Sequence, residues 1–189
     1  MSNSSVPSDE PCYSLPLRAL HWLTVLAIVV AYGVTYLEGF FERGTPGRAL
    51  IWWTHISVGL TILGFVILRL VARLVGPVPP PSAALSRPVH LASATVHVLL
   101  YVLLVATPLV GIYLAFLRGN EVTFFGLFTV PSPVEVDRTA AGQVIEWHEL
   151  LANALVVLAL LHAAAALAHH HVLKDDVLRR MLPRRRRLG

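Results

Sequence analysis

Four histidines, His21, His55, His148 and His162, lie inside apolar stretches long enough to cross a bilayer. Ionisable groups at such depths are costly and are retained mainly where they work. His148 and His162 are fourteen positions apart. At 100° and 1.5 Å per residue, that spacing puts both rings within about 40° of one helix face and roughly 21 Å apart along it. Neutral imidazole is a strong ligand for iron, and one face carrying two such rings suits two haems stacked across a membrane, each completed by a histidine from another helix.

Positioning such rings requires spanning helices, and the composition supplies them. The 189 residues are 56% hydrophobic and only 14% charged, with a mean hydropathy of +0.67. These values identify an integral membrane protein. Four apolar stretches, at about residues 17–37, 50–74, 89–117 and 142–173, approach or exceed the ~20 residues a span needs. Pro108 interrupts the third. The expected fold is an all-α membrane protein, a four-transmembrane-helix bundle enclosing two b-type haems. Residues 1–14 form a polar tail, 15–173 the bundle and 174–189 a basic cytoplasmic tail. A Pro-rich linker at 77–88 cannot be helical throughout, and the long connection at 118–141, with Pro131 and Pro133, reads as a surface loop lying over the bundle. Cys12 is the only cysteine, so neither an internal disulfide nor a multi-thiolate metal site is open to this chain.

The first fourteen residues carry Asp9 and Glu10 and lack the features of a secretory signal. Arg18, Arg69, Arg73, Arg87, Lys174, Arg179, Arg180 and the run Arg184, Arg185, Arg186 and Arg187 fall on one side. Arg43, Arg48, Arg118 and Arg138 fall on the other. Eleven against four puts both termini on the cytoplasmic side. That topology pairs His21 with His162 at the inner level and His55 with His148 at the outer level. A single histidine in a membrane helix also serves as an interhelical hydrogen-bonding group; two depth-matched pairs favour coordination. Zinc or copper suits them less, because carboxylates and thiolates are missing at those depths.

Other residues extend this picture. Gly33, Gly59 and Gly64 are places where a flat macrocycle could approach a helix backbone, although glycine also serves simple helix packing. His97 reads as a supporting or packing residue and His90 as interfacial. His169, seven residues beyond His162, lies on nearly the same face about 10 Å nearer the cytoplasm, a position for hydrogen-bonding a quinone carbonyl. The alternative is that His169, His170 and His171 all sit at the headgroup level. The Arg184 to Arg187 run reads as a topology determinant and anionic-lipid contact, not a nucleic-acid site.

Several stretches together resemble the bacterial cytochrome b561 family: Leu20-His21-Trp22, Thr54-His55-Ile56-Ser57-Val58-Gly59, Pro108-Leu109-Val110-Gly111, Arg118-Gly119-Asn120, Trp147-His148-Glu149-Leu150-Leu151-Ala152-Asn153 and Leu161-His162-Ala163-Ala164-Ala165-Ala166-Leu167-Ala168-His169-His170. The resemblance covers about residues 14–183. It implies haem ligation by the four histidines already paired, with quinone contact near His169. It further implies the activity of the superoxide-oxidising members, which pass electrons from superoxide to ubiquinone. An outer mouth formed by Arg43, Arg48, Arg118 and Arg138 would gather that small anion. Two other readings stand beside it: a cytochrome b membrane-anchor subunit of a larger dehydrogenase or hydrogenase, and a non-redox membrane module. The short outer loops offer little docking surface, so no obligatory protein partner is expected beyond lipid, quinone and superoxide.

Overall fold

The structure, a computed structural model, describes residues 12–77, 79–80 and 86–182. Four helices form the bundle: α1 (Leu15–Thr35), α2 (Pro46–Val75), α3 (Arg87–Leu117) and α4 (Arg138–Ala168). All four are long and apolar enough to cross a membrane. They begin two to four residues before the apolar stretches do, because polar or proline caps outside the apolar run set their starts. Proline occupies the first turn of α1, α2 and α3, where its missing N–H costs nothing. At α4 the Asp137 carboxylate accepts from the N–H groups of Thr139 and Ala140, both at 2.9 Å.

Helices α1 and α2 pack as one hairpin and α3 and α4 as a second, with α2 meeting α3 between them. Ala27, Ala31, Val58, Ile62, Val66, Leu104 and Leu155 form the central core; the two alanines allow α2 to approach α1 closely. Large apolar side chains such as Leu26, Val29, Leu68, Val71, Val98, Val102, Val157 and Leu160 face outward. This is the reverse of a water-soluble bundle and suits helices solvated by acyl chains. The Tyr32 hydroxyl donates to Asn153 Oδ1 at 2.8 Å, tying α1 to α4.

The connection expected to be an irregular loop contains a hairpin of β1 (Val122–Phe124) and β2 (Phe128–Val130), with Val122 opposite Val130 and Phe124 opposite Phe128. Its turn uses Phe125 at φ 48° and Gly126 at φ 76°. It is seated on the bundle by Ser57, which donates to the Thr123 carbonyl and accepts from the Phe125 N–H, each at 3.1 Å. Ser57 and Val122 are fully buried.

At the other end, the described chain ends meet. The Tyr13 N–H donates to the Arg180 carbonyl, Arg18 to the Leu182 carbonyl and Trp22 Nε1 to the Met181 carbonyl. Arg180 also reaches the Pro80 carbonyl at 2.7 Å and pairs with Asp176. Residues 174–182 are thus folded against the bundle, and the two chain ends share one side of it, as an even number of spans requires. Asp9, Glu10 and the Arg184 to Arg187 run lie outside the described residues.

Candidate functional site

His55 enters from α2 and His148 from α4, and each ring is braced by the helix beside it. His55 Nδ1 donates to the Ala31 carbonyl of α1 at 2.7 Å, and His148 Nδ1 donates to the Thr107 carbonyl of α3 at 3.1 Å. A carbonyl can only accept, so both Nδ1 atoms carry the proton and both Nε2 lone pairs are left as donors to a metal. The ring centres are 6.1 Å apart with planes at 79°. His148 approaches α3 so closely that a Cβ on Gly111 would stand 2.8 Å from its Cε1. Position 111 therefore needs glycine for space, which spacing alone did not reveal.

Toward the side where the chain ends meet, His21 of α1 and His162 of α4 have ring centres 6.5 Å apart with planes again at 79°. His97 of α3 joins them: its ring lies 5.1 Å from that of His162, and its Nδ1 donates to the Ser93 carbonyl at 2.7 Å. The residue expected to support or pack is thus a direct neighbour of this pair. His90 is exposed at the start of α3.

An iron held between two imidazoles at bonds of about 2 Å sets the ring centres about 6 Å apart. Both pairs fit that requirement, and both draw their rings from different helical hairpins. Among the described residues, no three His, Cys, Asp or Glu side chains converge as a metal-ion site; His55 and His148 come as a pair. Gly59, one turn after His55 and about 40° around the helix from it, has no atom within 4 Å of an added Cβ, leaving the cradle a flat ring requires. Gly64 is equally open, but nine residues from His55 put it about 180° away. Gly33 is open as well, about 120° around α1 from His21.

Beyond α4 the chain winds into a π-helical turn, His169–Leu173, and closes with Lys174 at φ 55°. This reversal carries Asp175 back to His169, whose Nδ1 donates to Asp175 Oδ2 at 2.5 Å. Both side chains are largely buried, at 17% and 9% exposure, whereas His171 is exposed. The three consecutive histidines are therefore unequal, and His169 is the one given a fixed orientation with Nε2 free of that contact. The carboxylate partner was not foreseen, since only the π-turn brings position 175 onto 169.

The four outer arginines also separate. Arg48 pairs with Glu38 and donates to the Glu38 and Phe41 carbonyls, so its charge is spent on the α1–α2 connection, a correction to its place in an anion-gathering mouth. Arg43 is exposed. Arg118 and Arg138 line one open cleft with Ala141 and Gly142, and Arg118 is close enough to His148 to interact electrostatically.

Comparison with known proteins gives concordant results. A family model described as prokaryotic cytochrome b561 matches residues 12–184. A probable superoxide oxidase CybB of Yersinia pestis is 35% identical over 179 residues, covering 92% of this chain and 97% of that protein. Cytochrome b561 homolog 1 of Escherichia coli K12 is 34% identical, covering 88% and 94% of the two chains. Homolog 2 of the same organism is 29% identical, with 79% and 80% covered.

Proposed function

We propose a function from one established premise: the chain belongs to the prokaryotic cytochrome b561 family. It is accordingly a multi-pass bacterial membrane protein of an oxidoreductase family that carries b-type haem, and lipid contacts its outer faces. The finer reading is a superoxide:ubiquinone oxidoreductase of the inner membrane, with both termini cytoplasmic and two haems per chain. His55 and His148 would hold the outer haem, and His21 and His162 the inner one. The observation that carries this reading is the pair of facing imidazoles at each of two levels, 6.1 and 6.5 Å between centres.

Bound b haem supplies one-electron carriage through a low-dielectric interior. The protein's own groups supply the rest. Backbone carbonyls at Ala31 and Thr107 fix the outer imidazole tautomers. Arg118 and Arg138 attract the superoxide anion to the outer end of α4. There each superoxide is oxidised to dioxygen, giving up one electron. At the inner end two electrons and two cytoplasmic protons convert the quinone to its quinol. As an imidazolium loaded with a cytoplasmic proton, with Nδ1–H held by Asp175, His169 donates from Nε2–H to a quinone carbonyl and passes that proton to it. Support for the donor comes from the Yersinia pestis relative, named a probable superoxide oxidase.

Stopped-flow mixing of the purified protein with superoxide, with and without a soluble ubiquinone, tests this reading. Haem reduction by superoxide followed by quinone-dependent reoxidation is expected. Haems that stay oxidised under superoxide would remove the donor assignment, and one haem per chain would remove the paired-ligand assignment.

A further inference from the structure

Arg69 lies fourteen residues after His55 on α2, the same interval that separates His148 from His162 on α4. It therefore lies within about 40° of the His55 face and roughly 21 Å deeper, at the level of the inner histidines. Its guanidinium interacts electrostatically with His21, His97 and His162. The guanidinium carbon stands 5.6 Å over the Tyr101 ring of α3, and the Tyr101 hydroxyl is buried without a hydrogen-bond partner among the described residues. No carboxylate among the described residues forms an ion pair with Arg69. A guanidinium at membrane depth with no countercharge, beside an unused hydroxyl donor, is a costly arrangement unless an anion completes it.

We propose that Arg69 and the Tyr101 hydroxyl form a carboxylate-binding site that anchors a propionate of the inner haem. This rests on the dihaem reading above. The planar guanidinium suits bidentate carboxylate recognition, and the Tyr101 hydroxyl adds a neutral donor. The site directs the acidic edge of the macrocycle toward α2 and α3, and its positive charge favours the reduced state of the inner iron over the oxidised one. Arg73, one turn on, is exposed and is the natural control.

The test is a potentiometric titration of the visible spectrum of purified protein, with haem per chain measured on each sample. Wild type, Arg69→Gln, Arg69→Lys, Tyr101→Phe and Arg73→Gln are compared. Arg69→Gln should lower the potential of one haem component by about tenfold in its reduction equilibrium, 59 mV for one electron, and leave the other in place. Tyr101→Phe should shift the same component less, Arg69→Lys should recover most of the loss, and Arg73→Gln, whose exposed charge also reaches His97, should shift it less than Arg69→Gln does. Resonance Raman bands of the propionate groups should move in Arg69→Gln alone among the arginine-to-glutamine variants. Two retained haems with unshifted potentials in Arg69→Gln and Tyr101→Phe would overturn the proposal. If Arg69→Gln loses the inner haem, an unshifted potential in Tyr101→Phe overturns it. A shift that appears only in anionic-lipid vesicles and vanishes in neutral detergent would assign the site to a lipid phosphate and equally overturn it. A single haem in wild type would instead strike the dihaem reading.

Discussion

Replacing Gly111 with alanine probes the closest approach in the outer site. The added Cβ would lie 2.8 Å from His148 Cε1 and 3.2 Å from Nδ1, where ordinary contact begins at 3.4 Å. The ring must therefore give way by about 0.6 Å, enough to stretch the 3.1 Å bond from Nδ1 to the Thr107 carbonyl beyond hydrogen-bonding range. Overpacking of this kind costs about 1–3 kcal/mol, and the lost hydrogen bond about 0.5–1.5 kcal/mol. Together these weaken the outer site roughly ten- to a thousandfold. Pyridine haemochrome analysis and haem titration of the apoprotein read this directly. One haem component should fall while the other stays, and Gly64→Ala, open and on the opposite side of α2, should retain both. Wild-type haem affinity and an unchanged spectrum in Gly111→Ala would refute the bracing of His148 against α3.

Three further outcomes follow from the same geometry. His162→Ala should remove one of two spectral components and leave the other reducible by superoxide; loss of both would show that the sites do not assemble independently. With imidazole planes at 79° in both pairs, the oxidised protein should give strongly anisotropic low-spin EPR signals, and ordinary rhombic spectra from both haems would contradict the ring orientations. His169→Ala should preserve haem content and reduction by superoxide yet slow reoxidation by quinone several-fold, the scale of one hydrogen bond at about 0.5–1.5 kcal/mol; unchanged quinone kinetics would return His169 to the headgroup layer.

Helical period and hydropathy made the four spans legible, and the fourteen-residue interval made the relation between His148 and His162 legible, because both depend on local geometry alone. What escaped depends on chain reversals. The run from Val122 to Val130, with β-branched and aromatic residues on both sides of Phe125-Gly126, carried a hairpin signal, but its strands are three residues each and are seated by hydrogen bonds from Ser57, far away in sequence. Asp175 meets His169 only because a π-turn and one left-handed residue intervene. His97 looked surplus once the four other histidines had been paired, whereas the bundle brings its ring to His162. Arg48 looked like a free outer charge until the short turn Glu38–Phe40 placed its partner beside it.

The division into two hairpins bears on how the protein is made. His55 and His148 are each braced within their own hairpin, against α1 and against α3. Every proposed ligand pair, however, crosses from one hairpin to the other. Haem held by such pairs would rivet the two hairpins together, making haem supply a checkpoint on maturation. Two co-expressed fragments divided within residues 77–86 should join into a coloured, spectrally complete protein when haem is abundant and part company when its synthesis is blocked.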